Sequence, residues 1–355
     1  MRLAFVTVGD TTRKAGGHRY NARLLSGLRG RGVEVEEIVA SAEGVGEQRA
    51  ASHSLGERLA PQEFDVISVD ALARVVCAAH LDRWRETTPV VAMVHELPSS
   101  AGVAGSGEAE RPLEEPLLRA DRVVCVSRHG LSILRERHVS PERIHVVPPG
   151  LERPTGDAAP DGADGPGESP LRVLRVLCVA QWIPRKNVLG LVRAWRSLPP
   201  GHGAILELVG ETAADPAYAA RVREAVSGSE DIVVRGPVGE DELRRAYSGA
   251  SVFALPSLYE GYGMVYAEAL SYGLPVIAPA AGPVPEVVGD AALLVEPGDE
   301  AGLAERLLDL ITTPSLRRRL SENAHRRSAE LPAWDDTVDG FLAALEAAVA
   351  ERPRS

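Results

Sequence analysis

Cysteine is scarce in this 355-residue chain: Cys77, Cys125 and Cys178 are odd in number, far apart and set among apolar neighbours. That pattern argues against a disulfide framework or a cysteine-based metal site, so buried reduced thiols are expected. No apolar run reaches the 18 residues of a membrane-spanning helix, and the opening segment turns polar after eight residues, too early for a signal-peptide core. A cytoplasmic chain is expected on these grounds. Basic charge is in deficit as well: 39 Lys and Arg against 50 Asp and Glu give a net charge of −11. This is the wrong balance for the broad cationic surface that neutralises nucleic-acid phosphates, and no nucleic-acid partner is expected. No strand is followed by Gly-x-Gly-x-x-Gly, which disfavours a dehydrogenase.

The length predicts two domains, and 45% hydrophobic with 25% charged residues supplies a sizeable core. Short apolar, β-branched runs at 3–8, 33–39, 66–69, 90–94, 123–126 and 144–147 alternate with helix-length segments, as buried parallel strands do. Residues 152–170 are rich in Pro, Gly and Asp and read as a linker. The rhythm then restarts at 173–179, 205–209, 232–234, 252–255, 276–278 and 293–295. The reading is an α/β protein of two Rossmann-like domains, 1–150 and 171–330, joined by a 151–170 linker. A carboxyl-terminal helix within 331–355, amphipathic through Val338, Phe341, Leu342 and Leu345, is expected to pack back on the first domain. Ligands of such sheets bind at the carboxyl ends of the strands, so the loops after strands are where chemistry is sought.

The densest signal lies in 256–279. A strand ends at Leu255, Glu260 follows in a polar loop, and a helix starts near Gly263. The amides of Gly261, Tyr262 and Gly263 sit at the positive end of that helix, suited to an anion or a hydroxylated ligand. Glu268 lies more than a turn inside, where a buried carboxylate needs donors such as the vicinal hydroxyls of a ribose. By themselves these residues also fit a capping acid and a solvated one. The spacing Glu260-x7-Glu268, then Gly273-Leu274-Pro275-Val276, Gly282-Pro283-Val284-Pro285-Glu286 and Leu294-Val295-Glu296-Pro297-Gly298-Asp299, resembles the retaining glycosyltransferases of the GT-B fold, family 4. The resemblance covers most of the chain. It implies two Rossmann-like domains facing each other across a cleft, Glu260 against the donor sugar and Glu268 on the nucleotide ribose.

After the first strand of the second half comes Pro184-Arg185-Lys186-Asn187, which resembles the family's cationic site for the donor diphosphate. Breaking a sugar–phosphate bond leaves charge that fixed cations must stabilise. The chain has no Asp-x-Asp pair to hold a metal, so Arg185 and Lys186 are the expected metal-free substitutes, Lys186 being one of only two lysines. Asn187 departs from the glycine often found next in the family. Gly210, Gly236 and Val238 lie in strand-to-loop turns resembling those that flank the nucleotide base. In the first half, Gly16 and Gly17 match the family's amino-terminal glycine loop, although paired glycines also fit a plain turn. His95, at the end of a strand, is placed by the resemblance beside the donor sugar. Arg128 fits either a phosphate or acceptor contact or a salt-bridged helix start.

The resemblance implies a metal-independent transfer of a hexosyl group from a UDP- or GDP-sugar to a hydroxyl acceptor, retaining configuration to form an α-glycoside. His95, Arg185, Lys186 and Glu260 are the candidate catalytic residues. The nucleotide-sugar is a substrate and no cofactor or metal is expected. A sugar-nucleotide epimerase of the same fold and a catalytically silent nucleotide-sugar-binding protein are the alternatives. Arg2, Arg13, Lys14, Arg19, Arg23, Arg29 and Arg31 stand against Asp10 alone within the first 31 residues. They form either the solvated edge of a core-facing helix or a patch for peripheral contact with an anionic membrane.

Overall fold

The β-branched runs of the first half form β1 (Arg2–Val8), β2 (Glu34–Ala40), β3 (Val66–Asp70), β4 (Val90–Val94), β5 (Arg122–Cys125) and β6 (Ile144–Val146). Those of the second half form β7 (Leu174–Val179), β8 (Ala204–Val209), β9 (Ile232–Gly236), β10 (Val252–Ala254), β11 (Val276–Pro279) and β12 (Ala292–Val295). Each expected run corresponds to one strand, with ends shifted by a residue or two. The structure is a computed structural model and describes residues 1–9, 16–40, 45–100, 107–154 and 173–351. The 155–170 part of the expected linker lies outside the described residues, as does 11–15 of the amino-terminal glycine loop.

Burial follows strand position. β3 and β4 are buried at every residue, as central parallel strands covered on both faces must be. The edge strand β2 instead exposes Glu34, Glu36 and Glu37, charges that discourage pairing with another chain. The sheet orders are β2-β1-β3-β4-β5-β6 and β12-β11-β10-β7-β8-β9, and every pairing is parallel. Strand order reverses between β1 and β3 in one sheet and between β7 and β10 in the other. At such switch points the loops diverge and leave room for a ligand.

The chain divides into two compact units, Met1–Gly150 with Pro332–Ser355, and Leu151–Leu331. The carboxyl-terminal helix, Trp334–Ala350, is thus part of the first unit, where it packs against β4, β5 and the helix Gly16–Gly30. Val338, Phe341 and Leu345 are buried there, each contributing roughly 1.5–3 kcal/mol. Gly27 permits the close crossing, since a Cβ on it would overlap the side chain of Val338. Thr337 Oγ1 donates to the Pro148 carbonyl at 2.8 Å, and Arg122 pairs with Glu351 at the far end.

The helix Gly16–Gly30 buries Tyr20, Leu24, Leu25 and Leu28 in this core. Arg29 pairs with Glu37 at 2.8 Å, Arg31 with Asp335 at 3.0 Å and Asp339 at 2.5 Å, and Arg2 with Glu36 at 3.0 Å. The apolar face of this helix is therefore core, and Arg2, Arg29 and Arg31 face carboxylates. Arg13 and Lys14 lie outside the described residues. No described helix is long and apolar enough to cross a membrane.

Candidate functional site

Two loops meet at the β7/β10 switch point. After β7 the chain passes Trp182, which is buried and donates its backbone N–H to the Glu211 carbonyl at 2.8 Å. It then makes a short 3-10 turn, Pro184–Lys186, opened by a proline whose missing N–H costs nothing at that position. Asn187 ends the turn with φ 52°, in the left-handed region, before the helix Val188–Arg196. This accounts for the departure from glycine: the position needs a positive φ, and asparagine is among the few side chains that tolerate it. Its side chain folds over Gly190, where a Cβ would come within 2.5 Å of Asn187 Oδ1.

The loop after β10 carries Ser257 and Glu260, and the two loops are tied by Leu258 N donating to the Arg185 carbonyl at 2.8 Å. Three of the expected catalytic residues are brought together here. Lys186 Nζ donates to Glu260 Oε1 at 2.6 Å and Oε2 at 2.9 Å, and Arg185 Nη1 donates to Oε2 at 3.2 Å and to the Tyr259 carbonyl at 3.0 Å. Ser257, fully buried, donates to Oε1 at 2.6 Å. Glu260 is only 5% exposed. Burial by itself raises its carboxyl, but the charges of Lys186 and Arg185, with hydrogen bonds from Lys186 and Ser257, outweigh that and hold it below the usual carboxylate range.

The helix Met264–Ser271 starts at Gly263, whose φ of 98° and closeness to the Tyr266 ring, 2.6 Å from a would-be Cβ, leave room only for glycine. Tyr266 anchors the loop by donating to the Leu255 carbonyl at 2.8 Å. Gly261 is half-buried ahead of this helix, and burial beside Glu286 pushes the buried Tyr262 hydroxyl up to about 12. Glu268 was expected to be buried; it is half-buried instead, and the Tyr247 hydroxyl donates to its Oε2 at 3.2 Å. Its position on the helix leaves one face to solvent, so no bound hydroxyl is needed to keep it satisfied.

Gly210 and Gly236 meet at the ends of β8 and β9, where Gly210 N donates to the Gly236 carbonyl at 2.8 Å. Gly210 has φ 139°, and a Cβ on it would overlap the Ala180 carbonyl oxygen; Gly236 has φ 69°. Val238 is half-buried in the turn that follows. Among the described residues no three His, Cys, Asp or Glu side chains gather as a metal-binding set.

In the first unit, His95 directly follows β4 at the carboxyl edge of its sheet. Gly17 faces it, a Cβ there falling 3.8 Å from His95 Cδ2, whereas Gly16 has open space. Tyr20 lies edge-on to the imidazole with centroids 5.1 Å apart. Arg128 is exposed and opens a helix capped by Ser127 Oγ, which accepts from Gly130 N at 2.9 Å. Sequence reasoning missed the residues behind His95. Asp70, fully buried at the end of β3, accepts from Asn21 Nδ2 at 2.5 Å, Thr7 Oγ1 at 3.1 Å and Leu72 N at 2.9 Å. Asn21 Oδ1 in turn lies 3.3 Å from His95 Nε2. A carboxylate ending an otherwise apolar strand was the available signal for Asp70. Ser257 and Tyr247 were missed too.

A family model described as glycosyl transferases group 1 matches residues 167–327, and one described as glycosyltransferase family 4 matches residues 15–153. The chain is 33% identical over 228 residues to an MMP alpha-(1->4)-mannosyltransferase of Mycolicibacterium hassiacum, covering 63% of this chain and 53% of that one. It is 30% identical over 291 residues to a D-inositol 3-phosphate glycosyltransferase of Acidothermus cellulolyticus, covering 74% and 63%. The chain thus spans less than two thirds of the length of these curated relatives. Among solved structures, sucrose-phosphate synthase from Thermosynechococcus elongatus superposes with TM-score 0.81 at 22% identity, over 99% of this chain and 100% of that one. Anabaena HepE in complex with UDP-glucose gives 0.74 at 17% identity, over 98% and 99%. At these identities the structural likeness shows the GT-B fold alone.

Proposed function

The chain belongs to the group 1, family 4 glycosyltransferases, and from that premise we propose that it transfers a hexosyl group from a UDP- or GDP-sugar to a hydroxyl acceptor, with retention and without a metal, forming an α-glycoside. The observation that carries this reading is the cluster of Lys186, Arg185 and Glu260 at the β7/β10 switch point. Departure of a nucleoside diphosphate concentrates negative charge on the leaving oxygen, and cations already fixed in a partly buried site stabilise it without reorganising. Lys186, 14% exposed and held by two contacts to Glu260, is such a cation. Arg185, more open, supplies a planar donor for the second phosphate.

Glu260 has both oxygens engaged by Lys186, Arg185 and Ser257. A carboxylate so occupied is a poor nucleophile and a good holder of cations, which favours front-face attack over a glycosyl-enzyme intermediate. In that path the departing phosphate oxygen takes the acceptor proton. Glu268, backed by Tyr247, is proposed to hold the ribose hydroxyls, and the turns at Gly210, Gly236 and Val238 the base. Donor binding falls to 171–330 and acceptor binding to 1–150. The names of the mannosyl and inositol-phosphate relatives support a hydroxyl acceptor and an α-linkage, and that of the UDP-glucose complex supports a UDP-linked donor.

The test is incubation with α-linked UDP- and GDP-sugars, with and without hydroxyl acceptors, read by mass spectrometry and by the anomeric coupling of the product. Nucleoside diphosphate plus an α-glycoside is expected. A donor altered without acceptor would point to an epimerase, an unchanged mixture to a silent binder, and a β-glycoside would defeat retention.

A further inference from the structure

Asp70 is a carboxylate with no exposed surface, and among the described residues no Arg or Lys pairs with it. Its partners are the amide of Asn21, the hydroxyl of Thr7 and the backbone N–H of Leu72, with His95 Nε2 at 3.9 Å. A carboxylate only accepts, so the Asn21 atom 2.5 Å from Asp70 Oδ2 must be the NH2 group. The Asn21 carbonyl oxygen is thereby turned to His95 Nε2, 3.3 Å away. Nε2 then faces two acceptor oxygens, Asn21 Oδ1 and Asp70 Oδ1, and must carry the proton. Nδ1, which has no hydrogen-bond partner among the described residues, is left with a lone pair.

We propose that Asp70 and Asn21 are positioning residues that lock His95 in its Nε2–H tautomer, so that Nδ1 serves as a fixed acceptor for a substrate hydroxyl. The proposal rests on the glycosyl-transfer reading for what His95 meets, but the tautomer is a property of the protein itself. The packing agrees with it. Tyr20 packs edge-on against the ring, and Thr7 and Leu72 occupy further lone pairs of Asp70, so its carboxylate has little freedom to turn. Asp70 also caps the 3-10 turn Ala71–Ala73 through Leu72 N. A purely structural cap is the competing role, and the two roles separate cleanly.

Asp70→Asn keeps the cap, since asparagine caps as well as aspartate. Its oxygen stays on Leu72 N, so its NH2 faces Asn21. Two donors then oppose each other, the Asn21 amide turns over, and its NH2 meets His95 Nε2. The tautomer should reverse to Nδ1–H. The experiment is a long-range 1H–15N correlation spectrum of the full chain, histidine-labelled, at about pH 8, above the ordinary imidazole range. His95 is identified by the signal lost in His95→Gln. In the wild-type protein Nε2–H is expected; in Asp70→Asn, Nδ1–H or a mixture, with turnover at saturating donor down about tenfold, the weight of one hydrogen bond. UDP affinity should be unchanged.

A wild-type Nδ1–H tautomer would overturn the proposal. So would Asp70→Asn with the wild-type tautomer, whether turnover stays or falls. Should that variant not fold, Asn21→Leu removes the relay and leaves Asp70 intact, and the wild-type tautomer remains decisive. No transfer of any sugar by a wild-type protein showing Nε2–H would sink the glycosyl-transfer reading and leave the tautomer lock standing.

Discussion

Glu260→Gln removes one negative charge from an enclosed site while keeping the size of the side chain, and its effects on stability and on binding should run in different directions. Breaking a buried ion pair costs about 3–5 kcal/mol when one partner is deleted. That figure is too large here, because glutamine can still accept from Lys186 and Ser257 through its one oxygen. What disappears is the second acceptor oxygen and the charge facing an ammonium that is 14% exposed. Arg185 is 36% exposed, and solvent screening leaves its share small. The expected loss is about 2 kcal/mol, in the range of hydrogen bonds to charged groups. For a unit of this size that lowers the melting temperature by roughly 4–8 °C.

The same pair has a pH signature. The folded-state carboxyl of Glu260 lies below its unfolded value of 4.5, so its contribution is present above that value and is lost as the pH falls through the depressed folded one. The stability gap between wild type and Glu260→Gln should be full at pH 7 and close toward acid. Binding moves the other way. With Glu260 neutral, Lys186 and Arg185 are less compensated, so UDP should bind as tightly or more tightly, while sugar transfer falls at least about tenfold. Thermal unfolding between about pH 3 and pH 7, titration calorimetry of UDP and a sugar-transfer assay check all four. A variant that melts with the wild type at pH 7, or a gap that widens in acid, would refute the electrostatic account. Weaker UDP binding would show that Glu260 matters more for positioning Lys186 and Arg185 than for offsetting their charge, and would refute the compensation argument.

Lys186→Ala should reduce turnover more than donor affinity, because charge on the leaving diphosphate peaks in the transition state; saturation kinetics with intact turnover would assign Lys186 to uniform binding. Glu268→Ala should weaken donor binding by about 1–3 kcal/mol, and Tyr247→Phe by about 1 kcal/mol through loss of the hydroxyl that orients the carboxylate; calorimetry showing unchanged affinity in folded variants would remove the ribose-anchor role. Asn187→Gly should fold and turn over as the wild type does, whereas Asn187→Val, forcing a β-branched residue to φ 52°, should cost at least about 1–2 kcal/mol by chemical denaturation. Activity should survive EDTA; loss in chelator restored by magnesium or manganese would defeat the claim that Arg185 and Lys186 act in place of a metal.

The strands were legible because a parallel strand buried on both faces is a continuous apolar run, and β3, β4, β10 and β11 are buried throughout. β2 was a harder case, with three exposed glutamates, yet Val35, Ile38 and Val39 between them sufficed. The two loops of the site were legible for a related reason. Arg185 and Lys186 follow one strand and Glu260 another, and each sits in its own strand–loop–helix unit with local spacing to mark it. Their contact was not legible in the same way. Lys186 and Glu260 are 74 residues apart, and they meet because β10 pairs with β7 across the switch point, a property of strand order rather than of any local pattern.

Asp70 and Asn187 show where local reading stops. Asn187 looked like a departure from the motif, because a motif records residue types and the demand at that position is a backbone angle. Once φ is 52°, glycine and asparagine become two answers to one requirement, and asparagine at this position keeps the backbone angle that the turn needs. Asp70 is the opposite case: nothing in its own segment departs from a strand ending in a capping acid, and capping is indeed one of its roles. Its second role exists only because β1, β3 and β4 lie side by side and the helix Gly16–Gly30 covers their ends, bringing Thr7, Asn21 and His95 from three distant segments against one carboxylate. The direction of an amide and the proton of an imidazole then follow from which neighbours can donate, which makes them consequences of topology and the part of the site most in need of a structure to be seen.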